Sequence, residues 1–188
     1  GKKIAVIGGG NVAMDAARCA LRLGADEVNI IYRRSEVEMP ARHEEAENAA
    51  EEGVKFRILS GMVAIIGDEQ DWVQAVKCVR MELGEPDAGG RRRPIPVAES
   101  EFLIEADTVI VALGTTPNPL VPETTKGLEI NKKQIVITDK ETGKTSKKFV
   151  WAGGDVSTGS ATIISAMGAA RIAAKSIASY LKEIGKGV

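Results

Sequence analysis

The sequence predicts an α/β fold, a doubly wound parallel sheet interrupted by an antiparallel β-meander. Three observations carry this. Continuous apolar runs recur at Ile4-Ala5-Val6-Ile7, Val28-Asn29-Ile30-Ile31-Tyr32 and Thr108-Val109-Ile110-Val111-Ala112-Leu113, and short unbroken runs of this kind are strands buried on both faces. A segment of helical period lies between the first two. From Met62 to Ala106 the period changes to about two, as in strands with one solvated face.

The first run ends in Gly8-Gly9-Gly10 and is followed by Val12, Ala13, Ala16, Ala17, Ala20 and Leu21 at helical spacing, with Gly24 just past Leu23 where a left-handed cap is wanted. Together with the strand Val28–Tyr32 this makes one β-α-β unit with a right-handed crossover. Arg42 to Glu52 reads as a second helix, with Ala46, Ala49 and Ala50 inward, five glutamates mostly outward and Gly53 as its stop. Val54 to Leu59 is a third strand. Within the meander Val79, Met81 and Leu83 alternate with Arg80 and Glu82, and Phe102-Leu103-Ile104 follows. The longest loop, Glu85 to Pro96, holds Gly89-Gly90 and Arg91-Arg92-Arg93 and reads as a solvated hairpin tip.

Thr108 to Leu113 ends in Gly114 and the turn residues Pro117, Asn118 and Pro119. Residues 120–148 are richer in Lys and Thr and carry one expected strand, Gln134 to Thr138. Phe149 to Ala152 is expected to be a strand leading into Gly153-Gly154-Asp155. A long helix then runs from Ala161 to Glu183, its inner face formed by Ile163, Met167, Ala170, Ala174, Ile177 and Leu181. Two domains are therefore expected, 1–118 and 119–188.

Composition narrows the function classes. With 188 residues, 44% hydrophobic and 27% charged, the chain is an ordinary globular sequence long enough to bury a core. A net charge of -1 provides no overall field for nucleic acid. No apolar run approaches the roughly 20 residues of a membrane span, and the sequence shows no charged n-region followed by an apolar h-region, so neither membrane insertion nor export is expected. Cys19 and Cys78 form no CxxC, so no disulfide framework, zinc site or iron-sulfur ligand set is expected, and a reducing cytoplasm fits. His43 is the single histidine, which leaves triads and multi-histidine metal sites without a second member. It reads as a helix-surface residue, and both cysteines read as packing groups.

Chemistry enters at Gly8-Gly9-Gly10-Asn11-Val12-Ala13, a GxGxxA between a strand and a helix, the context of a Rossmann-like dinucleotide turn. Gly8 permits the tight turn, Gly10 lets backbone approach a pyrophosphate, and the small Ala13 allows close packing of helix on strand. The helix start at Asn11 and Val12 supplies free N–H groups and a positive dipole end. At the end of the second strand, where a binder of NAD places an acid, the chain has Arg33-Arg34. Paired guanidiniums can grip a 2′-phosphate, which favours NADP(H) over NAD(H). Arg42 is within reach as a third contact, against the plainer reading of a solvated arginine.

The run Gly-Gly-Gly-Asn-Val-Ala-Met-Asp-Ala-Ala, followed by Tyr-Arg-Arg-Ser and Glu-Met-Pro-Ala, resembles the NADPH domain of the glutamate synthase small (beta) subunit and its two-dinucleotide flavoprotein relatives, dihydropyrimidine dehydrogenases among them. The resemblance covers essentially the whole chain. It implies that Ala112, Leu113 and Gly114 close the NADPH site and cross into the flavin domain, and that Trp151 to Val156 with the helix beyond binds FAD. It implies that Asp155, after Gly154, accepts a hydrogen bond from the ribityl chain. The N–H groups near Thr162 and Ile163 would then face the flavin C2 carbonyl. The residues by themselves leave Asp155 equally open to a capping role.

The same resemblance assigns 1–118 to NADPH binding and 119–188 to the C-terminal part of a discontinuous FAD-binding domain. Only one glycine fingerprint is present. The chain is thus expected to be part of a longer protein, with an FAD and iron-sulfur region elsewhere and a large glutamate synthase-type subunit as partner. Hydride would pass from NADPH to FAD and electrons onward to iron-sulfur centres, the chain alone being inactive. The exposed edge at Phe149 to Ala152 is expected either to be covered by a second copy or to leave residues 120–188 poorly ordered. Two alternatives stand beside this reading: a thioredoxin-reductase-like flavoprotein, for which the CxxC is lacking, and a non-catalytic NADP(H)-sensing module.

Overall fold

A computed structural model describes residues 1–86 and 90–185. The chain runs β1 (Lys3–Ile7), α1 (Asn11–Arg22), β2 (Glu27–Ile31), a 3-10 turn (Glu36–Glu38), α2 (His43–Glu51), β3 (Lys55–Arg57) and β4 (Ser60–Gly67). It continues through β5 (Val73–Pro86), β6 (Arg92–Glu105), β7 (Thr108–Val111), α3 (Leu120–Thr124), α4 (Asp155–Thr158) and α5 (Ile163–Glu183). Two compact units divide it, Gly1–Leu113 and Gly114–Val188.

In the first unit the apolar runs pair in parallel in the order β3-β2-β1-β7. Ile4 stands opposite Val28 on one side and Thr108 on the other, and Ile7 opposite Ile31 and Val111. The chain steps outward through β2 and β3, then returns past β1 to β7. The carboxyl ends of β1 and β7 therefore flank the point where the winding reverses, the place where such sheets open a crevice.

One face of this sheet buries Ile4, Val6, Val28 and Ile30 against Ala13, Met14, Ala17 and Ala20 of α1 and Ala49 of α2. Small residues at every contact turn of α1 bring its axis close to the sheet. Arg18 ties the two helices together through ion pairs to Glu45 and Glu52, both at 2.9 Å. The other face buries Ala5, Ile7 and Ile31 under Val76, Cys78 and Ile104 of the meander. The parallel sheet with its antiparallel insert is the architecture expected, and the insert β4-β5-β6 is the second cover of the sheet.

Several local expectations need correction. Ala50 is exposed while Ala49 is buried, so α2 presents a narrower face than its alanines suggest. β3 stops at Arg57 because Leu59 adopts φ 49°, a left-handed turn that redirects the chain into β4. The segment Glu85 to Pro96 is a hairpin end exposed at all of its described residues but Pro94, as expected, with strands that run further into it than the sequence suggests. β5 reaches Pro86, β6 begins at Arg92, and Arg92 Nε donates to Glu38 Oε1 at 2.7 Å. Asp87, Ala88 and Gly89 lie outside the described residues. Cys78 packs as expected, but Cys19 is exposed on α1.

In the second unit the expected strands shrink to isolated antiparallel bridges, Ile130 with Val136, Thr138 with Thr145 and Lys144 with Trp151. Gln134 at φ 62° and Phe149 at φ 66° break the extended runs at their first residues. The face of α5 also differs. Ile163, Met167, Ala170, Ala174, Ile177 and Leu181 are all exposed. Ala173 is buried, Trp151 Nε1 donates to Ser176 Oγ at 2.9 Å, and Tyr180 stacks on Phe149 and Trp151 with ring centroids 5.6 and 5.5 Å apart.

Backbone close approach explains the choice of face. A Cβ on Gly153 would lie 2.7 Å from Ala169 O, and one on Gly143 2.8 Å from Ala173 Cβ. Small residues at Ala169 and Ala173 admit these loops where Ile or Met would not. Among the described residues, no helix is long and apolar enough to cross a membrane.

Candidate functional site

The glycine turn between β1 and α1 divides its work among three residues. Gly8 sits at φ 146°, and a Cβ there would lie 2.5 Å from Ala112 O, so its bareness brings β1 against the end of β7. A Cβ on Gly9 would meet the Tyr32 ring at 2.5 Å. Gly10 has nothing within 4 Å of that position, so backbone is open to an approaching group. Gly10 is also the N-cap of α1, and Ala13 behind it is fully buried against the sheet. The first-turn amides of Asn11 and Val12 have no intrahelical acceptor, which leaves them for an anion. Val12 itself is exposed.

A second strand end supplies charge. Tyr32 is buried, Arg33 exposed and Arg34 buried, where the chain bends just past the end of β2. Arg33 makes no ion pair with a described residue. Arg34 is committed elsewhere, its Nε donating to Arg92 O at 2.8 Å. The two arginines therefore do not form a matched outward pair.

Arg42 stands at the N-cap of α2, its guanidinium paired with Glu45 at 2.9 Å and largely exposed. Its main-chain N–H donates to Asn11 Oδ1 at 2.9 Å, and the Ala41 N–H donates to Gly9 O at 3.0 Å. The start of α2 is thus held to the glycine turn. Ala112 closes the third side, its N–H donating to Ile7 O at 2.9 Å, and Leu113 beyond it is exposed.

Gly8, Gly10, Asn11, Val12, Ala13, Arg33, Arg34, Arg42, Ala112 and Leu113 all lie at the carboxyl end of the parallel sheet or on the helix starts beside it. Gly114 opens the second unit.

In that unit Gly154 takes φ 92° and caps α4, accepting the Ser157 and Thr158 amides at 2.9 and 3.0 Å. Asp155, the first residue of α4, is exposed, and its carboxylate has no hydrogen bond among the described residues, so capping falls to Gly154. Thr162 caps α5, its Oγ1 accepting the Ser165 amide at 3.2 Å, and Ile163 opens the helix in an exposed position.

Other reactive groups are accounted for. His43 is exposed beside Glu47 at 3.7 Å. Burial pushes the Cys78 thiol up to about 11, so it is no nucleophile at neutral pH. Sequence reasoning missed Tyr32, Ser35, Glu38 and Arg92. Glu38 is buried, and its carboxyl is held below the usual range first by the Ser35 hydroxyl and then by Arg92. An acid at Glu38 with an arginine 54 residues away has no local signature.

The model of the pyridine nucleotide-disulphide oxidoreductase family matches residues 1–172. The chain is 42% identical over 203 residues to the NADPH-Fe(3+) oxidoreductase subunit beta of Geobacter sulfurreducens, an alignment covering 97% of this chain and 30% of that one. It is 43% identical to the NADP(+)-dependent formate dehydrogenase subunit beta of Moorella thermoacetica, with 97% and 26% covered. It is 40% identical to the glutamate synthase (NADPH) small chain of Halomonas elongata, with 96% and 39% covered. The chain therefore spans well under half the length of these relatives.

Among solved structures, thioredoxin reductase of T. acidophilum superposes with a TM-score of 0.75 at 25% identity, over 98% of this chain and 53% of that one. FprA of Mycobacterium tuberculosis in complex with NADPH gives 0.72 at 19%, over 100% and 55%, a likeness of fold. With the family model matched over most of its length, and with its glycine turn placed between parallel β1 and α1, the chain belongs to the pyridine nucleotide-disulphide oxidoreductase family.

Proposed function

We propose that the first unit binds NADPH, and that the second supplies the flavin-facing part of an FAD-binding domain, within a flavoprotein oxidoreductase of the glutamate synthase small-subunit kind. The observation that carries the reading is Arg33, exposed just past β2 and without an ion pair among the described residues, with the open backbone of Gly10 past the end of the neighbouring strand β1. The Asn11 and Val12 amides suit the pyrophosphate, Arg33 suits the 2′-phosphate, and Ala112 and Leu113 wall the nicotinamide side. Arg34 supports Arg33 rather than sharing the phosphate with it.

In the second unit the exposed Asp155 carboxylate suits a ribityl hydroxyl, and the amides at the start of α5 by Thr162 and Ile163 suit a carbonyl that gains negative charge. When bound, FAD would supply the redox chemistry as acceptor of the hydride that NADPH carries. The residues of this chain bind and orient, and none is needed as a general base. Relatives named as beta subunits or small chains support a partner subunit, and the glutamate synthase reading makes that partner a large subunit of its type.

The test is calorimetric titration of the chain with both nucleotides. NADPH is expected to bind at least about tenfold more tightly than NADH, a difference of about 1.4 kcal/mol. Equal affinities would remove the reading.

A further inference from the structure

The β5-β6 hairpin covers the sheet, yet one of its residues also meets the loop that follows β2. Arg92 Nε donates to Glu38 Oε1 at 2.7 Å, on a side chain only 5% exposed. The other Glu38 oxygen accepts the Ser35 hydroxyl. Arg34 Nε donates to Arg92 O at 2.8 Å, so the hairpin grips the loop at two points. The Ser60 and Leu59 amides donate to Tyr32 O and Arg34 O, both at 3.0 Å, and the Tyr32 hydroxyl donates to Glu38 O at 2.7 Å.

Arg33 thus stands between two buried residues whose main chains and side chains are both bonded, while its own side chain is exposed. A guanidinium on a loop already held in place grips a phosphate without first ordering that loop. The Glu38 carboxyl is kept ionised by Ser35 and Arg92, so the ion pair persists through the neutral range.

Resting on the nucleotide reading above, we infer that Arg92 and Glu38 are positioning residues that set the preference for NADP(H) over NAD(H), by holding the backbone of Arg33 where its guanidinium meets the 2′-phosphate. NADH lacks that phosphate and does not use Arg33. Its affinity is therefore independent of the clamp.

The experiment titrates the 188-residue chain and its variants with NADPH and with NADH, with melting temperature followed alongside. Arg92→Ala and Glu38→Gln should each weaken NADPH about tenfold while moving NADH less than about twofold. Arg92→Lys keeps the cation and should recover part of the loss. If a variant at Arg92 or Glu38 fails to fold, Ser35→Ala removes one bond to Glu38 without stranding a buried charge, and it should weaken NADPH alone by about threefold. Unchanged NADPH affinity in the folded variants overturns the clamp, and so does an equal loss for both nucleotides. A wild-type chain with no preference for NADPH overturns the nucleotide reading itself, and the clamp falls with it.

Discussion

Asn11 Oδ1 accepts the Arg42 main-chain N–H at 2.9 Å, joining the first residue of α1 to the cap of α2. The bond holds the start of α2 against the glycine turn, as does that from the Ala41 N–H to Gly9 O. Asn11→Ala should cost about 1 kcal/mol of stability, the net worth of one hydrogen bond. Thermal unfolding would show it, and titration should show a modest loss of NADPH affinity as the start of α2 loosens.

Gly9 and Gly10 should respond in opposite ways to a single methyl. Gly9→Ala places a carbon 2.5 Å from the Tyr32 ring and should destabilise the fold by about 1–3 kcal/mol through overpacking. Gly10→Ala meets no protein atom within 4 Å and leaves its backbone at an ordinary φ of -94°. It should spare stability and weaken nucleotide binding, because the methyl occupies the approach of the pyrophosphate. A Gly10→Ala variant with wild-type NADPH affinity would locate the phosphates elsewhere.

If Arg33 reads the 2′-phosphate as proposed, Arg33→Glu replaces an attractive contact with a repulsive one. NADPH should weaken by at least about tenfold and NADH should be little affected. A parallel loss for both nucleotides in titration would mean that Arg33 does not read the 2′-phosphate.

The bridge between α1 and α2 is expected to give way in acid. The Glu52 carboxyl lies below its ordinary 4.5, held there first by the hydrogen bond from Arg22 and then by that from Arg18. The folded state therefore binds fewer protons at this group than the unfolded state. Its contribution is complete above the unfolded value and disappears as pH falls through the folded one. Glu52→Gln should flatten the fall of melting temperature between about pH 5 and pH 3.

On the proposed reading the single glycine fingerprint serves NADPH, and this chain holds only the flavin-facing half of an FAD site, around Asp155 and Thr162. The purified 188-residue chain should be colourless and should not oxidise NADPH with dyes, while still binding it. Stoichiometric flavin absorbance in the preparation would show that the adenosine half is not needed.

The sequence by itself determined the parallel strands, the β1-α1 turn, the tight approach at Gly8 and the close packing at Ala13. These follow from local period and from the steric demands of one turn, which neighbouring residues express. It also placed charge at Arg33, because the end of a strand is legible from the strand itself.

Tertiary structure decided the rest. Gly9 has its role only because Tyr32, across the sheet, lies 2.5 Å from where its Cβ would be. Arg34 was indistinguishable from Arg33 until Arg92, 58 residues away, took its Nε. The inner face of α5 passed to Ala169, Ala173, Ser176 and Tyr180 instead of its larger apolar side chains, because Gly143 and Gly153 bring backbone against the small residues. In each case the deciding partner is remote in sequence, and burial or hydrogen bonding is a property of the pair, which a one-dimensional pattern does not contain.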